Sequence, residues 1–126
     1  MSREIKFRAW DKDLNKMLRH QVLEFHPKEF FKAINGSSKW KVMQYTGLKD
    51  KNGREIYEDD IVRNGTENMV VVWDENDAGY CLEFDSGNQS IGINQRVMKD
   101  CEVIGNIWEN PELLAPPKHK EELSSE

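Results

Sequence analysis

Turn-forming residues recur at short intervals through most of this 126-residue chain, and that spacing limits what it can build. After Gly36 come Thr46-Gly47, Asn52-Gly53, Asn64-Gly65, the Asp74 to Gly79 segment and the Asp85 to Asn88 segment. Asn and Gly tolerate positive φ, so these are places where the backbone reverses. The intervals are too short for self-supporting helices, since isolated helices below about 12 residues are marginal in water. They suit short strands, and many short strands with Gly-rich turns make a small barrel or sandwich.

The segments between the turns read accordingly. Ile5, Phe7 and Ala9 alternate with Lys6, Arg8 and Trp10, the pattern of a half-buried strand, and Asp11 to Asn15 is a turn. Lys16 to Phe25 reads as a second strand, completing a hairpin. Pro27 suits a first helical position, Phe30, Phe31 and Ile34 recur at helical spacing and Asn35-Gly36 stops the run, so a helix of two turns is expected there. Strands are then expected at Trp40 to Tyr45, Arg54 to Tyr57, Ile61 to Arg63, Met69 to Trp73, Tyr80 to Phe84, Ile91 to Ile93 and Cys101 to Trp108. Asn110-Pro111 reads as a cap and first residue of one closing helical turn. The Gly36 to Ser38 connector divides the chain into an α+β portion at 1–38 and an all-β portion at 39–115. Residues 116–126, rich in Lys, Glu and Ser after two prolines, read as a disordered tail.

Composition narrows the class. Hydrophobic residues are 37% and charged residues 33%, a modest core supply, but four Trp, five Phe and three Tyr provide bulk that a disordered chain lacks. No apolar run approaches a membrane span, and Met1 to Arg8 alternates charge with apolar groups instead of forming a signal core, so the expected location is the cytoplasm, away from membranes. Cys81 and Cys101 lack the close spacing of a zinc or redox motif and read as free, structural thiols. Charge is segregated. Residues 1–49 hold 11 Lys and Arg against 5 Asp and Glu, net +6, while the rest holds 7 against 18, net −11. Either the surface is unevenly solvated, or a basic patch meets an acidic one on a neighbour or partner.

Three ordered segments carry a family resemblance. The stretch from Met43 to Val62, with Tyr45-Thr46-Gly47-Leu48-Lys49-Asp50 and Ile56-Tyr57-Glu58-Asp59-Asp60-Ile61-Val62, resembles the signature of the YopX family of small bacteriophage and prophage proteins. Ile5-Lys6-Phe7-Arg8-Ala9-Trp10-Asp11, followed by Met17, resembles the family's first hairpin, and Glu102 to Leu114 resembles its closing motif. The resemblance implies an α+β start, a small barrel of the SH3-like kind and self-association. It implies no chemistry. One position departs: Asp59 stands where the family usually has Gly, and Asp enters left-handed backbone conformations more readily than most residues, at some strain.

Candidate chemistry is sparse. His20, Glu24 and His26 share one side of an extended strand, but alternate side chains lie about 6.6 Å apart and seldom converge on a metal, so no metal site is assigned. Glu58, Asp59 and Asp60 read as a solvated acidic turn. Asp50 to Gly53 lacks the register of a calcium loop. No nucleophile stands in a catalytic context, no phosphate-binding loop is present, and neither catalytic residue nor cofactor is assigned. The candidate binding surface is basic and aromatic: Lys6, Arg8, Trp10 and Lys12 on and after the first strand, with Lys39, Trp40 and Lys41. Such a mixture can hold a nucleic-acid backbone and stack its bases. The favoured alternative makes Trp10 and Trp40 core or interface residues with lysine stems packed around them, since a pI of 5.3 is unsuited to a dedicated nucleic-acid binder. The chain is therefore expected to be a mainly β, non-enzymatic binding protein that forms homo-oligomers, acting on a host protein, with nucleic-acid binding as the alternative.

Overall fold

The computed structural model describes residues 4–36, 38–84 and 90–114; the tail expected at 116–126 and the turn at 85–88 lie outside them. Among the described residues, nine strands form two sheets. Strands β1 (Phe7–Asp11), β2 (Lys16–Leu18), β3 (Trp40–Lys49) and β4 (Glu55–Tyr57) make a four-stranded sheet in the order β2-β1-β3-β4. Strands β5 (Asp60–Asn64), β6 (Glu67–Asp74), β7 (Gly79–Phe84), β8 (Ser90–Gly92) and β9 (Glu102–Asn106) make a five-stranded sheet in the order β8-β7-β6-β5-β9, curled into a half-barrel. All pairings are antiparallel. The connector near residue 38 is spanned by one of them, because β3 pairs along its first half with β1, setting Ala9 opposite Val42 and Trp10 opposite Lys41.

One face of the first sheet packs under two helices, α1 (His20–Glu24) and α2 (Pro27–Ile34). Ala9, Leu18, Leu23, Ala33 and Trp40 form a small core there, with the Phe7 and Phe30 rings edge to face at 5.3 Å. Helix α1 corrects the expected second strand, which stops at Leu18. A helical turn buries Leu23 alone and pairs His20 Nε2 with Glu24 Oε1 at 3.1 Å, one turn apart, whereas alternation offered no consistent apolar face. Helix α2 starts with Pro27 at its first turn and ends before Gly36, which adopts φ +79°.

The second core is larger: Ile56, Val62, Met69, Val71, Leu82, Met98, Cys101 and Val103. The β3–β4 hairpin feeds it from the first sheet. At Gly47 (φ +88°) the β3–β4 register shifts, and Thr46 Oγ1 donates to the Ile56 carbonyl at 2.7 Å and accepts from Leu48 N–H at 3.2 Å. Beyond this bulge Leu48 and Ile56 face the half-barrel core. A short helix the sequence did not suggest, α3 (Gln95–Met98), adds Met98 and Val97 to that core. Its Asn94 cap accepts from Val97 N–H at 3.0 Å, and the Gln95 amide bonds both backbone groups of Lys49, closing that part of the β3 edge.

Candidate functional site

The two sheets meet along a polar seam built by the three segments that carry the sequence signature. At its centre lies the Glu58-Asp59-Asp60 turn. It is not solvated: Asp59 is 8% exposed and Asp60 2%. Asp60 accepts from Arg8 at 2.8 Å through Oδ1 and from Tyr57 N–H at 2.7 Å through Oδ2, while the Arg8 guanidinium lies 4.7 Å over the Tyr57 ring and also donates to the Glu58 carbonyl. Burial pushes the Asp60 carboxyl above the usual range, against the pull of Arg8 and the Tyr57 amide.

Asp59 adopts φ +72°, the left-handed conformation anticipated for a glycine position. Its backbone is held on both sides, by N–H to Val71 O at 2.8 Å and by its carbonyl accepting from Ile107 at 3.0 Å, and its carboxylate accepts from Trp108 Nε1 at 2.9 Å. Trp108 in turn stacks on Trp10, ring centres 6.3 Å apart. The closing motif is equally structural. Asn106 Oδ1 accepts from the N–H groups of Trp108 and Glu109, and Asn110 does not cap the last 3₁₀ turn (Pro111–Leu113) with its side chain; its Oδ1 instead accepts from Asn106 N–H.

Asp50 is the second stitch. Its carboxylate takes Asn52 and Arg54 N–H on one oxygen and Val103 N–H on the other, each at 2.9 Å, binding the β3–β4 turn to β9. Burial alone would raise this carboxyl, but the three backbone donors outweigh it and hold it below the usual range.

The expected binding surface is dispersed by these contacts. Lys6 pairs with Glu55 at 2.5 Å and Arg8 with Asp60, so both are committed within the chain. Trp10 and Trp40 are 8% and 7% exposed, and Trp40 Nε1 donates to Asp11 at 3.2 Å, so neither ring offers an open stacking face. Lys12 and Lys39 stay exposed and adjacent, Lys12 N–H bonding the Lys39 carbonyl, with half-buried Lys41 on β3. The His20, Glu24 and His26 alignment does not exist: His20 and Glu24 lie on α1, and His26 precedes α2 with its ring 6.3 Å from Trp40. Cys81 and Cys101 are buried free thiols whose acidity burial suppresses.

What the sequence did not reveal is a cleft of about 520 Å³ on the seam. Lys6, Arg8, Arg19 and Arg54 line it together with Glu55, Tyr57, Asp60 and Glu109, and Met17, His20, Gln21 and Asn106 complete the wall. His20 Nδ1 accepts from Phe7 N–H at 3.2 Å, so the proton of the neutral ring sits on Nε2, facing Glu24. The separation in sequence of Arg19, Arg54 and Glu109 hid this grouping.

The sequence pattern of the YopX protein family matches residues 6–115. Among solved structures, the crystal structure of protein EF1440 from Enterococcus faecalis is similar, with 26% identity, a TM-score of 0.65, and coverage of 90% of this chain and 100% of that one. No curated protein matches.

Proposed function

The chain belongs to the YopX family, and on that footing we propose that it is a non-enzymatic binding protein that works as a homo-oligomer. The observation that carries this is the apolar surface on the helical corner: Phe25, Phe31 and Ile34 are 83%, 60% and 49% exposed. Burying one such side chain contributes about 1.5 to 3 kcal/mol, and large exposed apolar side chains, of which Phe31 and Ile34 lie three residues apart on α2, mark interaction sites. The occupant is a second copy. Lys28 and Lys32 flank this corner, whereas exposed Trp73 on the half-barrel is followed by Asp74, Glu75 and Asp77, so the basic half of one copy complements the acidic half of the next.

In this reading the half-barrel is of the SH3-like kind, and the assembly acts in the cytoplasm of a phage-infected or prophage-carrying host on a host protein. Native mass spectrometry of the untagged protein tests the assembly. Oligomers are expected, reduced to monomers by Phe25→Asp with Phe31→Asp; a wild-type monomer at tens of micromolar overturns it. A second reading, nucleic-acid binding, rests on the adjacency of Lys12 and Lys39 beside Lys41. It requires affinity for single strands that falls steeply with salt, and salt-independent binding rejects it.

A further inference from the structure

We propose that the cleft on the seam between the two sheets is a binding site for a small phosphorylated molecule, held by Arg19 and Arg54 beside the guanidinium of Arg8. This goes beyond the assembly reading and does not depend on it.

The argument starts from which charges in the cleft are already satisfied. All three of its carboxylates have donors inside the chain: Asp60 has Arg8 and Tyr57 N–H, Glu55 has Lys6, and Glu109 accepts from the Asn106 amide at 2.8 Å. The cations are not balanced in the same way. Among the described residues, neither Arg19 nor Arg54 forms an ion pair, and the one hydrogen bond shown for the Arg54 guanidinium is a long contact of 3.5 Å to the Val103 carbonyl. Arg8 Nε is the one buried side-chain nitrogen or oxygen among the described residues with no partner. Its guanidinium is fixed by Asp60, the Glu58 carbonyl and the Tyr57 ring, so it cannot turn to find an acceptor without breaking those contacts. It therefore lines the cleft as a fixed positive charge.

The site therefore lacks acceptors and not donors. Three guanidinium groups arriving from β1, from the residue before α1 and from the end of the β3–β4 turn suit a tetrahedral group with several charged oxygens better than one planar carboxylate. A volume of about 520 Å³ exceeds a bare phosphate and falls within the usual range for small-molecule sites. Met17 and the Tyr57 ring give the body of the ligand an apolar surface.

Calorimetric titration of the full-length protein with pyrophosphate and with adenosine monophosphate tests this, alongside citrate as a carboxylate probe. Saturable binding of the phosphate probes is expected, weakened at least tenfold in Arg19→Gln and in Arg54→Gln, both exposed positions whose substitution leaves the fold intact. Lys99→Gln, an exposed change outside the cleft, leaves affinity within about twofold, and the ¹⁵N resonance of Arg8 Nε shifts on titration. Absence of saturable binding at millimolar probe, or equal losses in the Lys99 variant, overturns the proposal. Citrate binding as tightly as pyrophosphate replaces phosphate by carboxylate recognition, and a single-stranded oligonucleotide binding more tightly than the mononucleotide overturns the small-molecule reading.

Discussion

The two sheets bury their residues by different means. The half-barrel encloses a core of eight buried apolar side chains, closed by Ile56 from the hairpin and Met98 from α3. The core between the first sheet and its helices has five, two of them alanines, and Phe25, Phe31 and Ile34 stay outside it. The sheet's other face meets the half-barrel through charge, aromatic rings and Met43, with Arg8 and Asp60 at the centre. A buried ion pair stabilises little in net terms, because desolvation offsets most of the attraction, but it tolerates only one arrangement of its partners. The contrast teaches that apolar burial holds the half-barrel together, while the seam sets how the first sheet sits on it.

The largest effect should come from breaking the seam. Arg8→Ala leaves Asp60 buried without its cation and is expected to cost about 3 to 5 kcal/mol in urea unfolding, whereas Arg8→Met with Asp60→Leu recovers part of that loss, the remainder being the Tyr57 N–H left without its acceptor. If the single variant costs no more than a surface change, the seam does not orient the sheets. Next come the cores. Leu82→Ala should cost about 3 to 4 kcal/mol and loosen amide-exchange protection everywhere, and Leu23→Ala about 2 kcal/mol with loss confined to α1, α2 and β2. Equal, global losses would erase the distinction between the two regions.

Smaller effects probe single backbone positions. A Cβ at Gly105 would lie 2.4 Å from Asn110 Oδ1, so Gly105→Ala should cost about 1 to 3 kcal/mol by thermal unfolding. At Asp59, Ala keeps the left-handed strain and loses the Trp108 bond, whereas Gly loses the bond but relieves the strain; Asp59→Gly should be about 1 kcal/mol more stable than Asp59→Ala. The mildest test is acid. Because Asp50 titrates lower folded than unfolded, it contributes stability above the ordinary carboxylate range, and that contribution is lost as pH falls through the folded value, below about pH 4. Asp50→Asn should flatten that part of the stability profile; an unchanged acid limb would assign the pH dependence to other carboxylates.

Legibility in the sequence followed the range of the interaction. Strands β6 and β7 were readable because alternation and dense Val, Tyr and Leu content are local, and α2 because Pro27, the apolar spacing and Gly36 lie within ten residues. Past Leu18, segment 16–25 is ambiguous in sequence because its apolar residues fit neither period cleanly, and only docking of Leu23 on the first sheet selects a helix. The charged residues are ambiguous for a related reason. Arg8 looked like an open basic face and Asp60 like a solvated acid, 52 residues apart, and each reading was reasonable until the other residue was placed beside it.

By itself, then, the sequence determined the β-rich class, most turns and the family, and the family's usual glycine pointed to the left-handed backbone at Asp59. These depend on backbone preference and on patterns within a few residues of one another. The tertiary structure alone decided the partners of the charges, the burial of Trp10 and Trp40, and the cleft that brings Arg19 and Arg54 together. Burial and electrostatic pairing are properties of three-dimensional neighbourhoods, and no local pattern specifies which distant residue will neutralise a charge or exclude its water.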